Sequence, residues 1–245
     1  MNPKSIIGEN IEKESLFPSG LPFKSYNDKV LLVSGDGSIT FYNTRYRQSY
    51  RALSTGAYTE SLMKFFIPSG LLEKTVNKDL RVLDVCFGLG YNCAVAFDRL
   101  SSVSSPYRVH VVSIDKDETL PELVNTLKIL FPTKGYGILR KCLATGRCGR
   151  FSMELHIRNA LEVIWDLRGN FDAVFFDPFS QPRNPEMWHL DVFKRLRELL
   201  AEGGKLLTYA GGKKVRRIME EAGLNPSDTP IARGAFMPGT VAVRS

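Results

Sequence analysis

The sequence predicts an α/β fold in which helices cover both faces of a mostly parallel sheet. The first observation behind this prediction is an alternation, from Leu80 onward, of short β-branched stretches with longer stretches of helical periodicity. The second is the stretch at 171–176, which is apolar throughout its second half, as expected of a strand buried on both faces. The third is a glycine turn, Gly88-Leu89-Gly90, between a predicted strand at 80–85 and a helical pattern that reaches Leu100.

Residues 1–55 are expected to form an N-terminal extension that precedes the main domain at 56–245. The first thirty residues are polar and mixed, and we expect them to form a poorly ordered or loosely docked arm. Apolar stretches at 29–33 and 38–42 flank the sequence Ser-Gly-Asp-Gly. A short glycine-containing turn between two such stretches predicts a β-hairpin.

The remaining elements follow in order along the chain, separated by proline, glycine and polar residues. We predict further strands at 108–114, 152–157, 171–176 and 205–210, with two short strands near 229–233 and 239–243. We predict helices at 56–66, 119–130, 160–167, 185–200 and 212–222. The first helix is expected to stop before Pro68, and Asn184 is expected to be the N-cap of the fourth. The basic, glycine-containing stretch at 132–150 is predicted to be a long connection.

The glycine turn predicts a nucleotide-containing ligand, because glycine lets the backbone approach a ligand and the helix start offers free amides. A dinucleotide is disfavoured, since Cys93 stands where its fingerprint has a third glycine, and a P-loop is excluded because no Gly-Lys-Ser/Thr follows. The stretch resembles the first motif of class I S-adenosylmethionine methyltransferases, with Asp84, Gly88 and Gly90 in place. Cys86 stands where that motif has its first glycine.

Two polar residues follow the next predicted strands, on the edge of the sheet where the glycine turn lies. Asp115 ends the second strand, where an acidic residue in nucleotide-binding folds accepts hydrogen bonds from ribose hydroxyls. A turn before a helix is its alternative role, although Asp117 could fill that role instead. Asn159 follows the third strand, where it could contact the adenine amine or simply cap a helix. We expect their neighbours Lys116 and Ala160 to border the same ligand.

Asp177-Pro178-Phe179 closes the fourth predicted strand, at the crevice where the strand order is expected to reverse. It is similar to the Asp/Asn-Pro-Pro-aromatic motif of amino-methyltransferases. A carboxylate and a proline-fixed carbonyl can hold amine hydrogens and aim the nitrogen lone pair at a sulfonium methyl group. The carboxylate can also accept the departing proton. Asp177 is therefore our candidate catalytic residue, with a plain Asp-Pro turn as the alternative.

The formal net charge of +7 favours a polyanionic partner if the cations cluster. Three basic runs meet that condition: 132–150, 213–217 and 45–51, where arginines are interleaved with tyrosines. One run alone could be a solvated face, but three runs in one chain favour nucleic acid.

Other residues with chemical potential indicate ordinary structural roles. Three histidines and four cysteines show no zinc spacing and no Ser–His–Asp set, so we expect no metal and reduced cysteines. Trp188 could stack on a base or cover the core, and His189 is expected to be structural. No signal peptide and no long apolar run is present, so we expect a cytoplasmic protein without a membrane partner.

Several motifs together resemble one family: the methyltransferase domain of the bifunctional enzyme that makes 5-methylaminomethyl-2-thiouridine in tRNA, with its stand-alone relatives. The resemblance is carried by Phe87-Gly-Leu-Gly-Tyr-Asn92, by Asp177-x-Phe179 leading to Arg183-Asn-Pro-Glu-Met-Trp188, and by Val215-Arg-Arg217 before Ala222-Gly223. It runs from about residue 35 to the C-terminus. The Asn-Pro-Glu-Met-Trp block is its most specific part.

The resemblance implies S-adenosylmethionine as cofactor and an aminomethyl group on the wobble uridine of tRNA as acceptor. By position, it implies that the cofactor loop consists of Gly88, Gly90, Tyr91 and Asn92. It implies that Asp115 binds the ribose, that Asn159 lies near adenine and that Asp177 lies beside the methyl group and the amine. Glu60 matches a family glutamate of the methionine pocket. The candidate RNA-binding residues are Arg183, Lys213, Lys214, Arg216 and Arg217.

The sequence departs from the family at three positions near the site. Cys86 and Pro178 stand where the family commonly has glycine, and Asn159 stands where it usually has an acidic residue. The family's oxidoreductase half has no counterpart in the sequence, so we expect a separate enzyme to supply the aminomethyl precursor. Two alternative functions remain at this stage: a small-molecule amine transferase similar to aminopropyltransferases, and a noncatalytic RNA-binding protein on a methyltransferase scaffold.

Overall fold

The computed structural model describes residues 28–127, 131–231 and 237–244, and these contain two sheets. The predicted N-terminal arm, the end of the helix predicted at 119–130 and the end of the strand predicted at 229–233 lie outside the described residues. No helix within the described ranges is long and apolar enough to cross a membrane.

The smaller sheet contains the predicted hairpin. Its strands β1 (Lys29–Val33) and β2 (Ile39–Asn43) pair antiparallel, and a short third strand, β3 (Gln48–Ser49), pairs with β2. Asp36 in the hairpin turn accepts hydrogen bonds from the backbone N–H of Ser38 at 3.0 Å and of Thr59 at 2.8 Å. These bonds stabilise the turn and attach the hairpin to the first helix.

That first helix, α1, changes type along its length. It is α-helical over Ala57–Glu60, π-helical over Ser61–Phe66 and α-helical again over Ile67–Ser69. The prediction that it stops before Pro68 is wrong. The helix runs through the proline, which is the second residue of the last α-helical segment, and it ends at Gly70 in the left-handed conformation. A short helix, α2 (Leu71–Lys74), follows after Gly70.

The larger sheet has eight strands, most of them parallel, as predicted. They are β4 (Leu80–Val85), β5 (Val109–Asp115), β6 (Arg147–Cys148), β7 (Phe151–Ile157), β8 (Phe171–Phe176), β9 (Leu200–Thr208), β10 (Asn225–Asp228) and β11 (Thr240–Val243). Their order is β10-β11-β9-β8-β4-β5-β7-β6. The five central strands from β9 to β7 are parallel, whereas the outer ones pair antiparallel.

Helices cover both faces of this sheet, and each face has its own apolar core. They are α3 (Tyr91–Ser101), α4 (Leu120–Thr126), α5 (Thr133–Thr145), α6 (Ala160–Asp166), α7 (Leu190–Leu199) and α8 (Lys213–Glu221). One core lies under α1, α3, α4 and α5, and the other lies under α6, α7 and α8. The predicted fold class is therefore confirmed.

The stretch at 132–150 corrects the prediction of a long connection, because most of it forms α5 and β6. Gly135 lets α5 pack closely on α3, because a Cβ there would lie 1.9 Å from the carbonyl oxygen of Ala94. Two arginines of this run bind backbone carbonyls. Arg140 donates to the oxygens of Val124 and Leu127, and Arg150 donates to that of Leu100. Favourable capping of helix C-termini accounts for these two arginines without nucleic acid.

Three other element boundaries differ from the predictions. The helix predicted at 185–200 is divided into a 3₁₀ turn, Pro185–Trp188, and α7, and Asn184 makes no side-chain capping bond. Strand β9 begins at Leu200, five residues earlier than predicted, because the chain joins the sheet directly after α7. Residues 229–231 of the strand predicted near 229–233 are not in a strand, and β10 precedes them at Asn225–Asp228.

Candidate active site

A cavity of about 600 Å³ lies at the carboxyl ends of β4, β5 and β8, with the smaller sheet as its outer wall. The chain leaves β4 for β5 on one side and later enters β8 on the other, so the strand order reverses at this point. Ligands of open α/β sheets bind at such reversals. The cavity has the volume of a typical small-molecule pocket, roughly 300–1,000 Å³.

The glycine turn borders this cavity and keeps the backbone shape that its motif requires. Gly88 and Gly90 have φ angles of 56° and 73°. Cys86, in the place of the first glycine, has a φ of 72°, so a residue with a side chain adopts the left-handed conformation. At Gly90 a side chain is excluded in addition, because a Cβ would lie 2.7 Å from the side chains of Leu139 and Phe87.

Asp115 connects the end of β5 to the glycine turn. Its carboxylate accepts hydrogen bonds from the backbone N–H of Gly88 at 2.9 Å and of Asp117 at 3.1 Å. Burial raises the pKa of this carboxyl to about 6, against the opposing effect of these bonds. Lys116 lies beside it at the cavity edge, with its ammonium 5.3 Å from the centre of the Tyr46 ring.

Asn159 and Ala160 border the cavity at the end of β7. The Asn159 side chain is the N-cap of α6 and accepts a hydrogen bond from the N–H of Leu161 at 3.1 Å. The structural role considered for this residue is therefore present, and a contact with adenine stays a prediction.

Asp177 lies at the centre of the site, directly after β8. One carboxylate oxygen, Oδ2, accepts a hydrogen bond from the Asn92 amide at 3.0 Å and pairs with the Arg51 guanidinium at 2.7 Å. Within the described ranges, no donor contacts the other oxygen, Oδ1. Burial raises the pKa of this carboxyl to about 7; Arg51 opposes the rise, and the carboxylates of Glu60 and Asp84 add to it. A carboxylate with one anchored and one free oxygen can receive a ligand amine.

The other candidate residues occupy three kinds of position. Glu60 borders the cavity, and its carboxylate accepts from the N–H of Ala52 at 3.1 Å and pairs with Lys64 at 3.2 Å. Tyr91 also borders the cavity, but its hydroxyl donates inward to the carbonyl of Ile39 at 2.8 Å. Gly90 and Asn92 lie behind the cavity wall and act on it through their neighbours.

The candidate RNA-binding residues lie outside the cavity. Arg183 is exposed in the turn after β8, and the other four belong to α8. Two of those four already have acidic partners: Arg216 pairs with Asp228, and Arg217 pairs with Glu221 at 2.8 Å. Lys213 and Lys214 are exposed and have no acidic partner among the described residues.

Three features of the site were not predicted. Arg51, interpreted from the sequence as part of a nucleic-acid-binding run, is buried and pairs with Asp177. Tyr46 stacks on Phe179 at a ring separation of 4.6 Å, and Tyr209 places a buried hydroxyl beside the cavity. The alternation of tyrosines and arginines at 42–51 could have indicated these contacts, because alternate residues of a strand point to opposite faces and one face can be covered.

Of the two roles considered for Trp188, the structure shows that it covers the core. It is 2% exposed and packs on Phe176, while its indole N–H donates to the carbonyl of Phe179 at 2.8 Å. This hydrogen bond holds the loop that follows Asp177. His189 is exposed at the start of α7.

This strand order, with the glycine turn and the acidic strand ends around one cavity, defines a class I methyltransferase fold. Residues 118–234 match a family described as S-adenosyl-L-methionine-dependent methyltransferase. The protein is a methyltransferase of this class and uses S-adenosylmethionine, as the sequence predicted.

More specific relatives identify the family. The solved structure of MnmC2 from Aquifex aeolicus has a TM-score of 0.78 and 31% identity, covering 89% of this chain and 70% of that one. The chain belongs to the MnmC methyltransferase-domain family, and the resemblance seen in the sequence is confirmed.

Two further comparisons show how much of a longer relative the chain covers and how far its fold is shared. The tRNA 5-methylaminomethyl-2-thiouridine biosynthesis bifunctional protein MnmC of Pseudomonas fluorescens is 32% identical over 171 residues, 61% of this chain and 25% of that protein. The chain thus spans about a quarter of the length of this relative and of a second MnmC protein from Pseudomonas fluorescens. The spermidine synthase of Thermotoga maritima has a TM-score of 0.56 at 12% identity, which shows a shared fold alone.

We expect Asp115→Ala to weaken S-adenosylmethionine binding by about 1–3 kcal/mol, the usual penalty for leaving buried polar partners unmet. The substitution removes the acceptor of the Gly88 N–H and the proposed acceptor of the ribose hydroxyls. Isothermal titration calorimetry measures the change, and Asp166→Ala, at an exposed carboxylate at the end of α6, is the control. Unchanged affinity would remove Asp115 from the cofactor site.

Proposed function

We propose that this methyltransferase modifies tRNA: it transfers the methyl group to the amine of 5-aminomethyluridine at the wobble position and forms 5-methylaminomethyluridine. The observation that carries the proposal is the free Oδ1 of Asp177, a carboxylate oxygen without a donor among the described residues, on a residue that lines the cavity beside the glycine turn. The relatives named for 5-methylaminomethyl-2-thiouridine biosynthesis in tRNA support the choice of acceptor.

The residues around the cavity fit S-adenosylmethionine in volume and in the order of their polar groups. When bound, this cofactor supplies a methyl group on a positively charged sulfur. We propose that the turn at Gly88 and Gly90 passes along it, that Asp115 accepts from its ribose and that Asn159 and Ala160 border its adenine. Lys116 covers the edge of this end. Glu60 lies on the opposite side, where its negative charge suits an ammonium group.

Asp177 then has two tasks toward the acceptor. Its Oδ1 accepts a hydrogen bond from the amine and so aims the nitrogen lone pair at the methyl group. It also accepts the proton that the nitrogen loses when the new C–N bond forms and the S–CH3 bond breaks, which leaves the electron pair on sulfur as S-adenosylhomocysteine. A primary alkyl amine has an ordinary pKa near about 10.4, so it is mostly protonated at neutral pH and must lose one proton to solvent before its lone pair can attack. In this proposal a separate enzyme supplies the aminomethyl group.

The smaller sheet gives the site its depth. We propose that the extension up to residue 55 acts as the outer wall of the substrate pocket, since Tyr46 stacks on Phe179, two residues beyond Asp177. Gln48 of β3 strengthens the contact by accepting from the N–H of Ser180 at 3.0 Å. The division at residue 55 thus separates two parts of one pocket.

The proposal is tested by transfer of radiolabelled methyl from S-adenosylmethionine to tRNA that carries 5-aminomethyluridine, with unmodified transcript and spermidine precursors in parallel. Label on the modified tRNA alone is the expected result. Label on a polyamine would favour methylation of a small-molecule amine instead. Cofactor binding without any transfer would favour the noncatalytic RNA-binding alternative.

We propose that α8 contacts the tRNA backbone, and that its two unpaired lysines do so most directly. Lys213→Gln with Lys214→Gln is expected to weaken tRNA binding and to flatten the slope of log K against log salt by about one to two, the share of two phosphate contacts. The matched control is Lys134→Gln with Lys141→Gln on α5, on the other face of the sheet. An equal effect of both pairs would show that α8 is not the contact.

A further inference from the structure

The Arg51 guanidinium is buried, which is unusual for an arginine that follows a short surface strand. It follows β3, yet its side chain is only 6% exposed, and it lies 5.4 Å from the centre of the Phe65 ring. Arg45 and Arg47, its companions in the same basic run, are exposed. The smaller sheet therefore directs one arginine of this run inward, and only that one reaches Asp177.

Fold stability does not account for this placement. Burying a guanidinium is unfavourable unless its hydrogen bonds are met, and a buried ion pair rarely stabilises more than apolar residues of similar size. Arg51 meets that condition incompletely: Nη2 pairs with Asp177 at 2.7 Å, whereas Nη1 has no hydrogen-bond partner among the described residues. The pair must be explained by what Arg51 does to the carboxylate.

Two donors act on the same oxygen of that carboxylate. Arg51 and the Asn92 amide both contact Oδ2, from opposite parts of the chain, and thereby fix the rotation of the carboxyl group. Oδ1 is left toward the cavity. The groups that face Asp177 from the surrounding elements are otherwise acidic or neutral: Glu60 on α1, Asp84 on β4, Cys86 in the turn and Tyr209 after β9.

We infer that Arg51 is a positioning residue, which anchors Oδ2 of Asp177 so that Oδ1 stays turned to the acceptor amine and the carboxylate stays charged. The inference rests on the proposed function, because the acceptor amine belongs to it. Arg51 contacts the carboxylate and not the reacting atoms. The requirement it meets is local: Arg51 is the cation that contacts Asp177, whose other charged neighbours are Asp84 and Glu60, the latter already paired with Lys64.

The test compares Arg51→Met, which keeps the length of the side chain without charge, with Arg51→Lys, which keeps the charge without the planar fork. Arg51→Met is expected to lower kcat for tRNA methylation about 100-fold, the scale of a misplaced reacting group. It is also expected to move the acidic limb of the pH–rate profile upward by at least about one pH unit, the effect of removing a nearby opposite charge. Arg51→Lys should restore the position of the limb but only part of kcat. Arg168→Met, at an exposed arginine after α6, is the matched control.

Two further measurements keep the inference independent of the proposed function and of folding. Carbon-13 NMR of aspartate-labelled protein, without tRNA, follows the titration of Asp177, whose signal is assigned by its absence in Asp177→Asn. Arg51→Met should raise that titration midpoint even if no tRNA proves to be a substrate. Calorimetry should show S-adenosylmethionine binding within about threefold of wild type, since Arg51 acts on the acceptor side. An unmoved midpoint in folded Arg51→Met, or kcat lowered equally by Met and Lys with an unmoved limb, would overturn the inference.

Discussion

Asp177→Asn is expected to lower kcat for methyl transfer about a thousandfold, within the range for loss of a positioned acid or base. The amide keeps the shape of the carboxyl group and can still accept the hydrogen bonds from Asn92 and Arg51. It cannot accept the proton that leaves the acceptor nitrogen. The loss should therefore appear in the chemical step and leave the fold in place.

Single-turnover kinetics with saturating tRNA and S-adenosylmethionine measure this loss. Cofactor affinity by calorimetry and the melting temperature should stay close to those of wild type, and Asp166→Asn provides the control for an exposed aspartate. A variant that keeps a tenth or more of the wild-type kcat would contradict the role of Asp177 as a base.

The pH dependence of kcat/KM should show the same carboxyl. Burial raises the pKa of Asp177 to about 7, so the group is ionised above that pH and becomes protonated below it. A base must be ionised to act, so activity should fall as the pH drops through about 7 and not as it rises. At about pH 5 only about 1% of the group is ionised, which predicts about a 100-fold loss from this group alone.

The profile is measured between about pH 5 and 9 with wild type and Asp177→Asn in parallel. The acceptor amine adds its own limb at higher pH, because it must lose a proton before it attacks. The bend near pH 7 should disappear in Asp177→Asn, while the limb of the amine remains. A bend that persists in this variant would assign it to another group, with the Asp115 carboxyl, whose pKa burial raises to about 6, as the first alternative.

The parts of the site that the sequence predicted are those written into a local pattern. Gly88 and Gly90 lie in a strand–turn–helix unit, and Asp115 and Asp177 lie at the carboxyl ends of strands. Because these strands are parallel, all four residues lie at the same edge of the sheet. The larger fold followed from the same alternation of strands and helices. Even Cys86 keeps the left-handed backbone of the glycine that its motif usually has.

What the sequence did not reveal depends on tertiary contacts. Arg51 and its exposed neighbours Arg45 and Arg47 look alike in the chain, and only the docking of the smaller sheet buries one of them. The basic run at 132–150 differs from its prediction for a similar reason. The roles of Gly135 and Arg140 depend on neighbouring helices. Gly135 packs against a carbonyl of α3, and Arg140 caps the C-terminal end of α4.

The measurement that tests the central claim most directly is nucleoside mass spectrometry of tRNA after reaction with methyl-labelled S-adenosylmethionine. A tRNA that carries 5-aminomethyluridine at the wobble position is digested to nucleosides, and the labelled nucleoside is identified by its fragments. The account predicts that the label is found in 5-methylaminomethyluridine, on the side-chain nitrogen, and that Asp177→Asn removes it. Label on a ring atom, on a ribose or on another nucleoside would contradict the account.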